Sequence, residues 1–215
     1  MPATDTTRIV RFIHLDNLHV YLTRGRIYAP NSEPQDGLLY RTNHNAEVQE
    51  KRKVSAVRCG PGGTVHDYVP FYFGHLSPMM LNLKTGRVPG YDDGQEPLIY
   101  LVSSCQAVRD DGCNFVFTDG HCLATFTSWF DDLSDLDKVD WEVVYARYWS
   151  DCIDDMDRQR RKQAEFLVHG FVDWRLIDHI VVIDDERRDA VRDILGSFDS
   201  HLGRDVVVKR GWYYW

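Results

Sequence analysis

The apolar residues of this chain follow two recurring patterns, and each pattern predicts one kind of secondary structure. Runs of β-branched and aromatic residues between turn residues are typical of strands. They occupy 8–13, 64–73, 97–104, 114–120, 163–169, 179–184 and 205–215. Apolar residues at helical spacing, with capping residues before them or a glycine after them, predict helices. These cover 14–25, 43–53, 77–86, 135–149 and 186–198.

The order of these elements predicts the fold class. Strands and helices are mixed without a strict βαβ rhythm, and many strands are half polar, which favours an α+β fold with a mixed, largely antiparallel sheet and peripheral helices. The stretch 26–37 is rich in Pro, Asn, Asp and Gly and predicts an ordered surface loop with at most a short strand. Pro70 cannot donate to a strand ladder and predicts an edge, a bulge or an early strand end. With no linker or repeat, residues 1–215 are expected to form a single domain.

One carboxylate in the strand pattern 163–169 has no evident neighbour to neutralise it. Because side chains alternate between faces along a strand, Ala164 and Phe166 share an apolar face, while Gln163 and Glu165 share the other. Glu165 therefore points into a cleft or forms an ion pair with one of the arginines that precede it. The pattern alone leaves both possibilities open.

Composition and charge limit the classes of function. The chain has 215 residues, 43% of them hydrophobic, and a net charge of −8, which argues against broad, non-specific duplex binding but permits a narrow basic groove. It has no apolar run of about 18 residues and no secretory signal pattern, so a cytoplasmic protein is expected. The number of cysteines is five, without a C-x-x-C pair, and no structural metal is expected.

Common catalytic motifs are missing. The sequence contains neither of the glycine-rich phosphate-binding motifs, no G-x-S-x-G and no H-E-x-x-H. A metal-dependent nuclease would often carry a lysine two residues after the acidic residue of its active strand, and here that position is Leu167. A nuclease stays possible but lacks half of its usual pattern.

Three stretches contain more polar groups than a core needs. In 11–18, a strand-to-helix junction carries His14 and Asn17, which suit binding of a carboxamide or a ribose, although helix capping explains them equally well. In 48–54, Arg52 stands between two lysines, a pattern that most often marks a solvated helix face. In 60–73, histidine, tyrosine and phenylalanine are unusually dense, as in a stacking surface or, more commonly, a core.

These stretches carry a resemblance to a known family. The segments IHLDNL, QEKR, GPGGTVHDYVPFYFGHLSPM, GQEPLIYLVSS, FVFTDGH, RKQAEFLV and WYY, in this order, closely resemble the DarT family of bacterial toxins. The resemblance covers about residues 8 to 214. It implies an ADP-ribosyltransferase-like fold and an enzyme that uses NAD to modify bases in single-stranded DNA.

The resemblance also implies roles for particular residues. Glu165 matches the catalytic glutamate, and Arg52 matches an arginine that is essential for the reaction. Such a carboxylate can bind the ribose 2″-hydroxyl, stabilise the oxocarbenium-like transition state and take a proton from the incoming base. Gln163, two residues before Glu165, is similar to the residue that orients the acceptor in related transferases.

Cofactor and DNA contacts follow from the same resemblance. His14 and Asn17 are expected to bind NAD, and Tyr72 is expected to stack on nicotinamide. Arg11 stands where many members have a histidine, and it is expected to bind NAD as a fixed cation. DNA contacts are expected from His121, Gln163, Arg160 and Arg161, although the basic run could also be a solvated face.

Substrate base and partners are implied less directly. The stretches 11–18 and 157–169 are closer to a branch of the family that modifies guanine than to the branch that modifies thymidine, and they favour guanine. A DarG-like macrodomain antitoxin is the expected partner, in a toxin–antitoxin or phage-defence system. The alternatives are a transferase that acts on RNA or protein and a catalytically inactive module that binds single strands.

Overall fold

The protein is described here by a computed structural model, which describes residues 6–215. The strands are β1 (Arg8–His14), β2 (Arg26–Tyr28), β3 (Tyr68–Tyr72), β4 (Leu98–Ser104), β5 (Phe115–Thr118), β6 (Trp129–Phe130), β7 (Glu165–His169), β8 (Phe171–Asp173), β9 (His179–Val182) and β10 (Asp205–Val208). The helices are α1 (Leu18–Arg24), α2 (Ala46–Val54), α3 (Pro78–Lys84), α4 (Cys105–Asp110), α5 (Trp141–Tyr145), α6 (Arg158–Lys162) and α7 (Asp185–Gly196).

Eight strands form one sheet in the order β10-β9-β4-β1-β3-β7-β5-β6. Neighbouring strands are antiparallel except β9 and β10, which are parallel, and β2 pairs with β8 in a separate two-stranded sheet. The predicted α+β class with a largely antiparallel sheet is confirmed.

Both faces of the large sheet are covered. Successive residues of β1 alternate between two apolar clusters: Ile9 packs in the larger one and Val10 in the other. The smaller cluster is closed by the C-terminal segment, where the Tyr213 hydroxyl donates to the Leu98 carbonyl at 2.9 Å. This two-sided packing fixes the strands that carry the polar residues described below.

The sheet opens between β1 and β3. β1 pairs with β4 along its whole length, but it pairs with β3 only at Val10 and Tyr72. The Pro70 carbonyl points across this opening and accepts a hydrogen bond from Arg11 Nη1 at 3.0 Å. Because the N–H and C=O of one strand residue point to the same side, the missing N–H of Pro70 also faces the opening. Pro70 thus lies in an interior strand of the sheet, on the side of β3 that has almost no backbone pairing with β1.

Local signals set several helix ends. Asn45 caps α2 by accepting from the Val48 N–H at 3.2 Å, and Ser77 caps α3 by accepting from the Met80 N–H at 3.2 Å. Gly25 ends α1 with φ of 60°, a conformation that glycine adopts without strain. These predicted boundaries are confirmed.

Several predicted elements are wrong in part. The strand predicted at 205–215 ends at Val208, and the strand predicted at 64–73 begins only at Tyr68, after a 3-10 turn. The helix predicted at 135–149 is a 3-10 turn at Leu133–Lys138 followed by the short α5, because Val139 is extended and Asp140 caps a new helix by accepting from the Val143 N–H. The strand predicted from residue 163 begins at Glu165, because the Gln163 N–H donates to the Arg160 carbonyl and closes α6. Alternation along a strand therefore does not explain how Gln163 is oriented.

Candidate active site

A cleft of about 480 Å³ lies at the opening between β1 and β3. This volume is in the range of pockets that bind small organic ligands. Its walls come from β1, the segment 40–45, α2, the ends of β3 and β7, and the loop after β5. Polar and aromatic side chains from these distant parts of the sequence therefore meet in one place.

The floor of the cleft holds a buried ion pair between Glu165 and Arg52. Glu165 is the first residue of β7 and is 1% exposed, and Arg52 lies in the last turn of α2 and is 7% exposed. Arg52 Nη1 lies 2.9 Å from Glu165 Oε2. Glu165 is thus both a cleft residue and an ion-pair partner. Its partner is Arg52 of α2 and not one of the arginines in the basic run directly before Glu165.

The pair keeps the carboxylate charged. Burial alone would raise the pKa of Glu165, but the Arg52 guanidinium, with smaller contributions from His121 and Cys122, holds it below its ordinary value. Arg52 Nη2 is buried and has no hydrogen-bond partner in the described part of the chain. An ionised carboxylate beside a guanidinium with an unused donor is suited to bind hydroxyl groups and to stabilise a cation that develops next to it.

Cys122 lies against both members of the pair. Its backbone N–H donates to Glu165 Oε1 at 3.3 Å, and its sulfur accepts from Arg52 Nη1 at 3.3 Å. The neighbouring His121 lines the cleft, and its pKa is lowered, chiefly by burial. A neutral imidazole therefore faces the carboxylate at neutral pH.

Tyr72 lies beside Glu165 because the two residues are directly opposite each other on β3 and β7. Opposite residues of an antiparallel pair project from the same face of the sheet. Tyr72 stacks on Phe12 with a centroid distance of 6.1 Å, and both rings line the cleft. The two rings form an aromatic wall that is suited to stack on a flat ring, such as the nicotinamide that Tyr72 is predicted to bind.

The predicted NAD contacts fall into two groups. Arg11 and Asn17 line the cleft, whereas His14 is not among the lining residues. Arg11 has no carboxylate partner within residues 6–215, and its buried Nε is unpaired. His14 is buried, accepts from the Asp16 N–H at 3.1 Å and has a pKa lowered by burial. The roles predicted for these residues stay predictions.

The irregular segment 38–45 forms one wall of the cleft and is fixed at two points. Arg24, whose side chain is 3% exposed, donates to Asp36 at 2.7 Å, to Glu33 at 3.0 Å and to the Leu38 carbonyl at 2.9 Å. The Asn17 side chain accepts from the Arg41 N–H at 2.6 Å and donates to the Arg41 carbonyl at 2.9 Å. The wall is therefore an ordered structure without helix or strand.

The Arg41 side chain is neutralised by its neighbours. It donates to Asp16 at 2.7 Å and to Asp93 at 2.5 Å. Arg52, another arginine of the cleft, is paired with Glu165. Arg11 also lines the cleft, and no carboxylate of the described chain balances its charge. An anionic group of a ligand would be attracted to Arg11.

The predicted DNA contacts are also divided. His121 and Gln163 line the cleft, but Arg160 and Arg161 do not. Arg160 donates to Asp119 at 2.9 Å and to Asp157 at 2.7 Å, and the guanidinium of Arg161 pairs with Asp140 and Asp155. The two arginines are thus bound to the protein's own carboxylates, and a DNA phosphate would have to compete with these.

Several cleft residues were not predicted from the sequence. They are Tyr40, His44 and Gln49, together with Cys122, which touches the ion pair. His44 follows Asn43 and precedes the α2 cap, so a histidine at a helix start was the available signal. Its pKa is lowered by burial and by the Arg11 charge. Cys122 had no such signal, because its importance comes from two distant residues.

Among residues 6–215, no group of three or more His, Cys, Asp or Glu side chains is arranged to hold a metal ion. In the same range, no helix has the length and apolarity needed to cross a membrane.

Comparison with known proteins identifies relatives of the whole chain. Residues 10–214 match a family model described as "DarT: ssDNA thymidine ADP-ribosyltransferase, DarT". A DNA ADP-ribosyl transferase of Thermus sp. strain 2.9 is 39% identical over 98% of this chain and 97% of its own. A DNA ADP-ribosyl transferase of Escherichia coli O127:H6 is 34% identical over 96% of this chain and 93% of its own.

Solved structures of related proteins also match this chain. The chain matches Thermus sp. 2.9 DarT in complex with ADP-ribosylated single-stranded DNA with a TM-score of 0.91 and 37% identity, over 98% of both chains. It matches the same Thermus protein in complex with NAD+ with a TM-score of 0.87 and 36% identity, over 98% of this chain and 99% of the other. The chain therefore belongs to the DarT family of ADP-ribosyltransferases.

Proposed function

We propose that this protein transfers ADP-ribose from NAD+ to a base of single-stranded DNA. The observation that carries the proposal is the buried Glu165–Arg52 pair on the floor of a cleft of suitable size. Loss of nicotinamide leaves positive charge on the distal ribose, and an ionised carboxylate at that point stabilises the charge electrostatically. The family membership of the chain and the NAD+ complex of its Thermus relative support the same reaction.

Each group of the cleft has a place in this reaction. Glu165 binds a ribose hydroxyl, stabilises the cation and accepts the proton that the base loses. Arg52 keeps Glu165 ionised and offers its unused Nη2 to an acceptor oxygen of a ligand. Tyr72 with Phe12 offers a stacking surface, and Arg11 offers a cation to the pyrophosphate.

The modified base is a finer part of the proposal. The matched family model is described as an ssDNA thymidine ADP-ribosyltransferase, whereas two short stretches of the sequence, 11–18 and 157–169, favour guanine. We propose thymidine, because the family match extends over residues 10–214, and we keep guanine as the second candidate.

The proposed reaction implies an antitoxin partner and a cellular location. An enzyme that attaches a group as bulky as ADP-ribose to the bases of its own cell's DNA is toxic unless a second protein reverses or blocks it. A DarG-like macrodomain that removes ADP-ribose is the proposed antitoxin, and a DNA substrate implies that both act in the cytoplasm. Co-expression with such a macrodomain should restore growth that this protein alone arrests.

The test of the activity uses NAD+ labelled in its ADP-ribose part. Wild type and Glu165→Gln are incubated with a mixed-sequence oligonucleotide and with oligonucleotides that lack T or lack G, and mass spectrometry then locates the modification. Wild type should label every strand that contains T, and Glu165→Gln should label none. Label that depends on G supports the second candidate, and label on RNA or protein but never on DNA rejects the proposal.

A further inference from the structure

Lys162 is a buried lysine beside the site, and the reaction described above does not use it. It is the last residue of α6, directly before Gln163, and it is 2% exposed. Its Nζ donates to the carbonyls of Val144 and Ala146, each at 2.7 Å. Lys162 therefore connects the helix that leads into β7 with the C-terminal end of α5.

This lysine differs from the other basic residues of α6. Arg158, Arg160 and Arg161 pair with aspartates, whereas Lys162 forms no ion pair within residues 6–215. Burial without a counter-charge is unfavourable and lowers the pKa of Lys162 to about 8. An apolar residue at this position would avoid that cost but would leave the Val144 and Ala146 carbonyls without this donor, so Lys162 is what holds these carbonyls to the end of α6.

Gly74 lies close to the same Val144 carbonyl. It follows β3, and a Cβ atom built on it would lie 2.4 Å from the Val144 carbonyl oxygen. Only a residue without a side chain permits this approach. The end of α5 is thus fixed between the end of β3 and the end of α6, two elements that also position Tyr72 and Glu165.

The segment 146–157 begins at this fixed point and is anchored again further along. Trp149 Nε1 donates to the Tyr214 hydroxyl at 2.7 Å. The segment nevertheless presents large apolar side chains to solvent: Tyr148 is 84% exposed and Met156 is 75% exposed. Exposed aromatic residues on a rigid support are suited to stack on unpaired bases.

We propose that Lys162 is a positioning residue, which fixes the segment 146–157 relative to Glu165 so that a single-stranded acceptor is held in line with the cleft. The proposal rests on the proposed function. Lys162 itself touches no reacting group and acts through the Val144 and Ala146 carbonyls, while Gly74 provides the space that this arrangement needs. A small misalignment between the acceptor base and NAD+ lowers the reaction rate by a large factor. A residue that fixes this alignment therefore matters for catalysis.

The proposal predicts different effects on the two substrates, DNA and NAD+. The cleft walls proposed to bind NAD+ come from β1, 40–45 and α2, whereas the hydrogen bonds of Lys162 Nζ go to the Val144 and Ala146 carbonyls, outside these walls. Loss of the Lys162 contacts should therefore weaken the use of DNA and leave the affinity for NAD+ unchanged. A purely structural role would change both together or neither.

The experiment compares Lys162→Met and Lys162→Arg with Lys138→Met, which removes an exposed lysine whose Nζ bonds only the adjacent Asp137. The readouts are KM for an oligonucleotide, kcat and the Kd of carba-NAD+. Lys162→Met should raise the oligonucleotide KM about tenfold with a Kd within about twofold of wild type. Lys162→Arg should recover part of the loss, and Lys138→Met should behave as wild type.

A second variant keeps the test decisive if Lys162→Met does not fold. Tyr148→Ala changes an exposed side chain and should raise the oligonucleotide KM by about threefold or more, with the carba-NAD+ Kd unchanged. An unchanged oligonucleotide KM in a folded Lys162→Met or in Tyr148→Ala overturns the inference, as does a parallel rise in the carba-NAD+ Kd. If wild type itself labels no DNA, the proposed function has failed instead.

Discussion

The Glu165–Arg52 pair should couple the activity of this protein to its stability. Glu165→Gln keeps the shape of the side chain and its contact with the Cys122 N–H, but it leaves the Arg52 guanidinium buried without a counter-charge. Removal of one partner of a buried pair costs about 3–5 kcal/mol. For a chain of this length, 3 kcal/mol corresponds to a fall in Tm of about 10 °C.

A second substitution separates the charge effect from the loss of shape. Glu165→Gln combined with Arg52→Met removes both charges from the floor of the cleft, so neither is left unpaired. The double variant should be less destabilised than the sum of the two single variants, by about 2–3 kcal/mol. It should still lack transfer activity, because the carboxylate is absent.

The assay is urea unfolding of wild type, both single variants and the double variant without ligand, followed by label transfer to single-stranded DNA. Additive free energies of unfolding would refute the coupling argued from the 2.9 Å contact. A Glu165→Gln variant as stable as wild type would do the same. That outcome would favour a cleft carboxylate that gains no stability from an ion pair, one of the two possibilities that the sequence pattern left open.

Three further predictions concern the surroundings of the pair. Arg24→Met should loosen the segment 38–45 and raise the carba-NAD+ Kd about tenfold, measured by calorimetry, because it removes the contacts that hold one cleft wall. Lys162 has a pKa of about 8 when folded and 10.5 when unfolded, so the unfolded state binds more protons between these values. Wild type should therefore gain up to about 3 kcal/mol of stability relative to Lys162→Met as the pH rises through this window, in urea unfolding at several pH values. Gly120→Ala should cost about 1–3 kcal/mol, since its Cβ would lie 2.9 Å from a backbone carbonyl of α6, whereas Gly196→Ala, with open space around it, should not destabilise.

Local chemistry made much of the fold predictable. Asn45 and Ser77 are caps whose side chains bond the N–H groups that a helix start leaves free, and these bonds need no distant partner. The strands were predictable for a similar reason, since alternation and β-branched residues mark a half-buried surface. Where one residue determined the outcome locally, the sequence was sufficient.

Predictions failed where distant contacts determine the structure. The helix predicted over 135–149 failed for a local reason instead, because Asp140 caps a new helix after a turn and the apolar spacing does not reveal that cap. The nearest basic residues to Glu165 in sequence are in α6, yet Asp119 and Asp157 pair with Arg160, and Arg52 arrives from another helix. Residue pattern and family resemblance identified Glu165 and Arg52 as chemical groups, but neither could show that they pair with each other.

The opening between β1 and β3 also has a mechanical meaning. One residue pair, Val10 with Tyr72, joins a half-sheet that carries Arg11 to a half-sheet that carries Glu165. Pro70 has no N–H to donate across the gap, so the two halves cannot close it by extending their ladder. The cleft is lined by residues of both halves, so a ligand bound there would contact both and would connect them for as long as it stays bound.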